Sequence, residues 1–250
     1  MRQEGYVEPS LAILSKLLEV ELELVDVISR QTPERPWGSE VYVVRDPVQS
    51  RKYVYKARRV FPYELVEIES VLTRLAEDHI PHFCPIVDFK LFNHRIHLLL
   101  EHVEGTSLDH SHDEHWNNEP SFCEYLGSLP LRTKVEIAYQ LLEGLYELHQ
   151  RSLLFQDLKI EQIILMPSHY VVVVDLDTIV LKGGLCASHV MWVSPVCPPP
   201  SCSCCESNDI YQAGCIIYEL FTGKHLRGGE EIISSGEIDR VVRKMTNRSQ

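Results

Sequence analysis

Two polar clusters set in apolar sequence carry the residue types best suited to chemistry. The segment Leu153-Leu154-Phe155-Gln156-Asp157-Leu158-Lys159-Ile160-Glu161-Gln162-Ile163-Ile164-Leu165 places Asp157 two residues before Lys159. Eighteen residues after Asp157, a run of four valines ends in Val174-Asp175-Leu176-Asp177. Phosphoryl transfer needs a carboxylate to orient the attacking hydroxyl, a cation on the transferring group, and a second carboxylate to hold magnesium. Asp157, Lys159 and Asp175 offer those three groups from the two ends of one hairpin. Upstream, Val54-Tyr55-Lys56-Ala57 puts a lysine in a strand-like run, where it can reach nucleotide phosphates.

These residues need elements to position them, and the apolar spacing supplies candidates. Alternation predicts strands over residues 21–29, 40–45, 52–58, 86–92 and 95–102. Helical spacing predicts an N-terminal helix over 9–18, with Ser10 as its cap, and an amphipathic helix over 64–76. In the second of these, Leu65, Ile68, Val71, Leu72 and Leu75 share one face. The strongest helical pattern runs from 131 to 150, and further helices are expected over 209–222 and 237–247. Short apolar runs around Pro167-Ser168 read as a hairpin, and 177–208 as a loose segment. Strands first and helices after them predict an α+β fold divided near residue 104.

Composition narrows the function classes. Of 250 residues, 36 are acidic and 24 are Lys or Arg, a net charge of −12. That balance disfavours non-specific binding to nucleic acid or an anionic membrane. The longest apolar runs fall far short of a membrane span, and residues 1–5 lack the apolar core of a secretory signal. The expectation is a soluble intracellular protein, cytoplasmic or nuclear. Eight cysteines, four of them crowded at Cys197, Cys202, Cys204 and Cys205, form no even framework and match no standard zinc spacing.

The ordered set of motifs resembles the eukaryotic protein kinase domain, whose catalytic loop reads H-R-D-L-K-x-x-N and whose metal-binding turn reads D-F-G. Here the corresponding stretches are Phe155–Gln162 and Asp175-Leu176-Asp177. Leu100-Glu101-His102-Val103-Glu104-Gly105 is similar to the hinge that holds adenine, and residues 207–223 to the helix that anchors the large lobe. The resemblance covers about residues 21–247. It implies a two-lobed fold: a helical extension (1–20), a small β-rich N-lobe (21–104), and a larger helical C-lobe (105–250) with a polar insert at about 106–122. It further implies late C-lobe helices that are truncated or divergent. ATP and Mg2+ are the implied cofactors, and a protein substrate or partner is implied. Lys56 would hold phosphates, steadied by Glu67, with Glu101, Val103 and Gly38 around the nucleotide. Asp175 and Gln162 would hold the metal, and Asp157 and Lys159 would serve the transfer itself.

The departures from the family pattern are specific. Where the family has a glycine-rich phosphate loop, this chain has Arg30-Gln31-Thr32-Pro33-Glu34-Arg35-Pro36-Trp37-Gly38, in which two prolines remove donors. Gln162 stands in place of the metal-binding asparagine, Phe155-Gln156 in place of His-Arg, and Asp177 in place of the glycine. Ser194-Pro195-Val196-Cys197 lacks the family's structural glutamate. Two functions follow as expectations: a Ser/Thr-type phosphotransferase, or a pseudokinase used as a scaffold or allosteric partner. Asp109, His110, His112, Asp113 and His115 read as a solvated loop rather than a metal site, and Asn247-Arg248-Ser249 as a chance acceptor sequence.

Overall fold

The computed structural model describes residues 15–16, 21–29, 39–60, 65–108, 122–184, 205–223 and 236–246. Most of the expected N-terminal helix, Gly38, the His110–His115 loop, Cys197–Cys204 and Asn247–Ser249 lie outside the described residues.

The described chain forms two compact units, one from Met1–His79 with Pro85–His102, the other from Ile80–Cys84 with Val103–Gln250. In the first, five antiparallel strands lie in the order β1-β2-β3-β5-β4. They are β1 (Glu23–Ser29), β2 (Glu40–Arg45), β3 (Lys52–Arg59), β4 (Ile86–Phe92) and β5 (Arg95–Glu101), with helix α1 (Leu65–Glu77) between β3 and β4. The register pairs Tyr42 with Tyr55 and Tyr55 with Leu99, so alternate residues build one face. Tyr42, Val44, Tyr53, Tyr55, Ala57 and Leu99 fill that face together with Leu22. Within it the Tyr42 and Tyr55 rings stack at 5.9 Å, and the Tyr55 hydroxyl meets His97 Nδ1 at 2.8 Å. The opposite face carries Val43, Val54, Lys56, Leu98 and Leu100. There Lys56 lies opposite Val41 on one side and Leu98 on the other. α1 packs on β4 and buries Ile68, Val71, Leu72 and Leu75, four of the five residues expected on its apolar face.

The second unit is built on α3 (Leu131–Gln150), preceded by β6 (Thr106–Ser107) and α2 (Phe122–Ser128). Ile137, Leu141, Leu145 and Leu148 recur at helical spacing and are almost wholly buried. After α3 come β7 (Leu153–Leu154), a 3-10 turn (Ile160–Gln162), β8 (Ile163–Leu165) and β9 (Val171–Val173). β8 and β9 form the expected hairpin, and β6 joins its outer edge. Gln140 of α3 braces the hairpin turn, donating to His169 O at 3.0 Å and accepting from Val171 N–H at 2.8 Å.

The segment expected to be loose from 177 instead carries β10 (Val180–Leu181), which pairs with β7. Two-residue strands leave no alternation for a sequence reading to detect. α4 (Glu206–Thr222) begins three residues earlier than its apolar run and ends at Gly223, whose φ of 66° supplies the left-handed C-cap. α5 (Glu237–Thr246) lies against α4, where Gly214 admits Met245 and Thr246: a Cβ there would sit 2.9 Å from Met245 Cβ. Ile80–Cys84 joins this unit through Phe83, which bridges to Val173, and through Cys84 N–H, which donates to Val173 O at 2.9 Å.

Candidate active site

In the second unit, the loop between β7 and the 3-10 turn carries Asp157 and Lys159. Lys159 Nζ donates to Asp157 Oδ2 at 2.8 Å, whereas Asp157 Oδ1 is buried with no hydrogen-bond partner among the described residues. Three residues on, Gln162 is 4% exposed and fixed at both ends of its side chain. Its Oε1 accepts from Lys159 N–H at 2.8 Å, and its Nε2 donates to Asp175 Oδ2 at 3.1 Å. Its own carbonyl accepts from Val174 N–H at 2.9 Å, which ties the end of β9 to the same turn. The structure thus gathers Asp157, Lys159, Gln162 and Asp175 into one chain of hydrogen bonds.

Asp175 sits at φ 72°, ψ 50°, a left-handed conformation that a non-glycine residue adopts at a cost of about 1–2 kcal/mol. Gln156, beside Asp157, is also left-handed, with φ 70°. Such backbone persists only where neighbours over-determine it, and the neighbours here are on α4. Asp209, fully buried, accepts Phe155 N–H and Gln156 N–H, each at 2.8 Å. Gln212 accepts Leu158 N–H at 3.0 Å and donates to Gln156 O at 2.8 Å. Thr178 Oγ1 donates to Phe155 O at 3.1 Å, and the Phe83 ring lies 5.8 Å from that of Phe155. Sequence reasoning gave Asp209, Gln212 and His149 no role. The available signal was an aspartate and a glutamine inside an otherwise apolar helix, a pattern that demands buried partners.

The remaining site residues lie elsewhere. Lys56 is a buried residue of β3 in the first unit. Glu67 stands in the first turn of α1, half-buried one turn before Val71, while Glu69 is exposed. Glu101 ends β5, where its carboxylate pairs with Arg51 and its N–H donates to Pro85 O at 3.1 Å. Val103 is the first residue of the second unit after β5 and is half-buried. Asp177, at the place of the family's glycine, is buried in the 3-10 turn that follows Asp175. Among the described residues, no three His, Cys, Asp or Glu side chains gather to hold a metal ion, and no helix is long and apolar enough to cross a membrane.

A β-sheet unit bearing a buried strand lysine precedes a helical unit. The helical unit holds an aspartate–lysine pair in one loop and an aspartate after the next hairpin. Residues 39–249 match the family model described as protein kinase domain. The match covers most of both units and every site residue named above except Gly38, and the chain belongs to the protein kinase domain family.

Proposed function

We propose that the chain is an ATP-dependent phosphotransferase acting on a serine or threonine hydroxyl of a protein substrate. The observation that carries this reading is the Asp157 carboxylate. One oxygen is held by Lys159, and the other is buried and unpaired among the described residues. An unpaired buried acceptor costs about 1–3 kcal/mol, and an approaching hydroxyl relieves that cost. Lys159, two residues after the aspartate, resembles the Ser/Thr branch of the family.

Bound ATP supplies the phosphoryl group, with magnesium shielding its charge. Asp157 takes the hydroxyl proton at Oδ1 as the substrate oxygen bonds to phosphorus and the bond to the leaving ADP oxygen breaks. Lys159 fixes the orientation of Asp157 through Oδ2 and would supply positive charge to the transferring group. Lys56, steadied by Glu67, serves the α- and β-phosphates. Glu101 and Val103 offer main-chain groups to adenine, and Gly38 lets backbone approach a phosphate. Asp175 would hold the cation through its carboxylate, one oxygen of which accepts from Gln162 Nε2. A net charge of −12 favours a protein substrate over nucleic acid, in an intracellular setting.

A second reading, a pseudokinase scaffold, draws on the Gln162 amide, whose oxygen is engaged by Lys159 N–H. Calorimetric ATP binding and transfer of labelled phosphate to a protein mixture separate the two. The phosphotransferase reading expects magnesium-dependent binding that Lys56→Met weakens about tenfold or more, by losing charge-assisted hydrogen bonds. It also expects transfer that Asp157→Asn reduces by about 10²–10⁴ while affinity for ATP is kept. Undiminished transfer by Asp157→Asn overturns the assignment of the base. No binding at millimolar ATP leaves the scaffold.

A further inference from the structure

We infer that Gln162 is a positioning residue that replaces a metal ion with a hydrogen bond, so that the site takes nucleotide with one divalent cation instead of two. Protein kinases hold two magnesium ions, one carboxylate and one amide oxygen being central to the pair. For Gln162 to join Asp175 on a shared cation, its amide oxygen must face Asp175. The structure has the reverse arrangement. Oε1 faces Lys159 N–H at 2.8 Å, and the NH2 group faces Asp175 Oδ2 at 3.1 Å.

The assignment of the two amide atoms follows from the partners themselves. Rotating the amide would set its NH2 against the Lys159 N–H and its oxygen against the Asp175 carboxylate, two mismatched contacts in place of two matched ones. Nor can the side chain swing away easily. It is 4% exposed, and its backbone carbonyl is tied to Val174 N–H at 2.9 Å. The N–H protons of Gln162 therefore stand where a cation bridging residues 162 and 175 would sit, and they already neutralise part of the Asp175 charge.

This inference rests on the proposal that nucleotide binds here, and the experiment keeps the two apart. Calorimetry with a non-hydrolysable ATP analogue first tests nucleotide binding. Electron paramagnetic resonance then counts bound Mn2+ per protein at saturating analogue. Wild type is expected to bind one Mn2+. Gln162→Glu keeps an oxygen for Lys159 N–H but turns the donor facing Asp175 into a second carboxylate oxygen; it is expected to bind two, with a melting temperature that falls without Mn2+, where the two carboxylates repel, and recovers with it. Two Mn2+ ions in wild type, or one in both proteins, overturns the inference while leaving nucleotide binding intact. Absence of analogue binding overturns the nucleotide reading and this one with it.

Discussion

His149 at the end of α3 and Asp209 in the first turns of α4 meet with Nε2 2.8 Å from Oδ2, across sixty residues of chain. Because Asp209 also accepts the N–H groups of Phe155 and Gln156, one buried carboxylate joins two helices to the backbone just ahead of Asp157. The loop that carries Asp157 and Lys159 is thus set by α4.

Asp209→Ala is expected to be severely destabilising. It orphans two buried N–H groups and a buried imidazole nitrogen, and removing one partner from such a buried charged network costs about 3–5 kcal/mol. For a chain of this size that corresponds to a fall in Tm on the order of 10 °C. Asp209→Asn retains one acceptor oxygen and should lose less. Thermal and urea unfolding of both variants provide the check, and a change under 2 °C for the alanine variant would contradict this role.

His97 confers a pH dependence on the first unit. Burial holds its imidazole below the ordinary value of 6.5, and Arg95 adds to the effect. The Phe92 carbonyl and Glu40, which pairs with Arg95 at 2.7 Å, oppose it more weakly. Lys90 lies opposite His97 on β4 and brings further positive charge. With the folded-state value depressed, the unfolded chain binds the proton more readily. The contribution to stability is therefore complete above about pH 6.5 and is lost as pH falls below it. Urea midpoints measured between pH 7.5 and pH 5 should fall more steeply for wild type than for His97→Gln, which retains a partner for the Tyr55 hydroxyl without titrating. Parallel slopes would refute the assignment.

Cys215 should be chemically silent. Burial, aided by the negative charge of Glu219, pushes its thiol up to about 12, so the thiolate is scarce at any ordinary pH. Cys205 is half-buried at the start of α4. Mass spectrometry after brief alkylation of the native protein at pH 8 should find Cys205 modified and Cys215 intact. Equal labelling of the two would show that α4 opens readily.

Much of this was readable from residue order alone. β2, β4 and α3 begin and end where alternation and helical spacing place them, because each is an unbroken run long enough to show its apolar period. β7 and β10 carry no such pattern because a two-residue strand is specified by its partner, and Leu153 pairs with Leu181 across the whole segment that holds Asp157 and Asp175. Asp157, Lys159 and Asp175 were legible as a set because charge inside apolar sequence stands out. The direction of the Gln162 amide was not, since it depends on a backbone N–H at Lys159 rather than on any residue type. The five residues from 80 to 84, which leave the first unit and join the second, have no sequence pattern that marks the excursion.

That excursion bears on how the gene can be divided. The chain passes between units at three places: after His79, after Cys84 and after His102. A fragment ending at His102 would carry away Phe83 and Cys84, stripping Val173 of its bridge and Phe155 of a neighbouring ring. The complementary fragment would keep the Asp157 loop but lack Phe83, which packs beside it. Neither half is a contiguous stretch of sequence, so separating them cleanly requires transplanting residues 80–84, not choosing a better cut site.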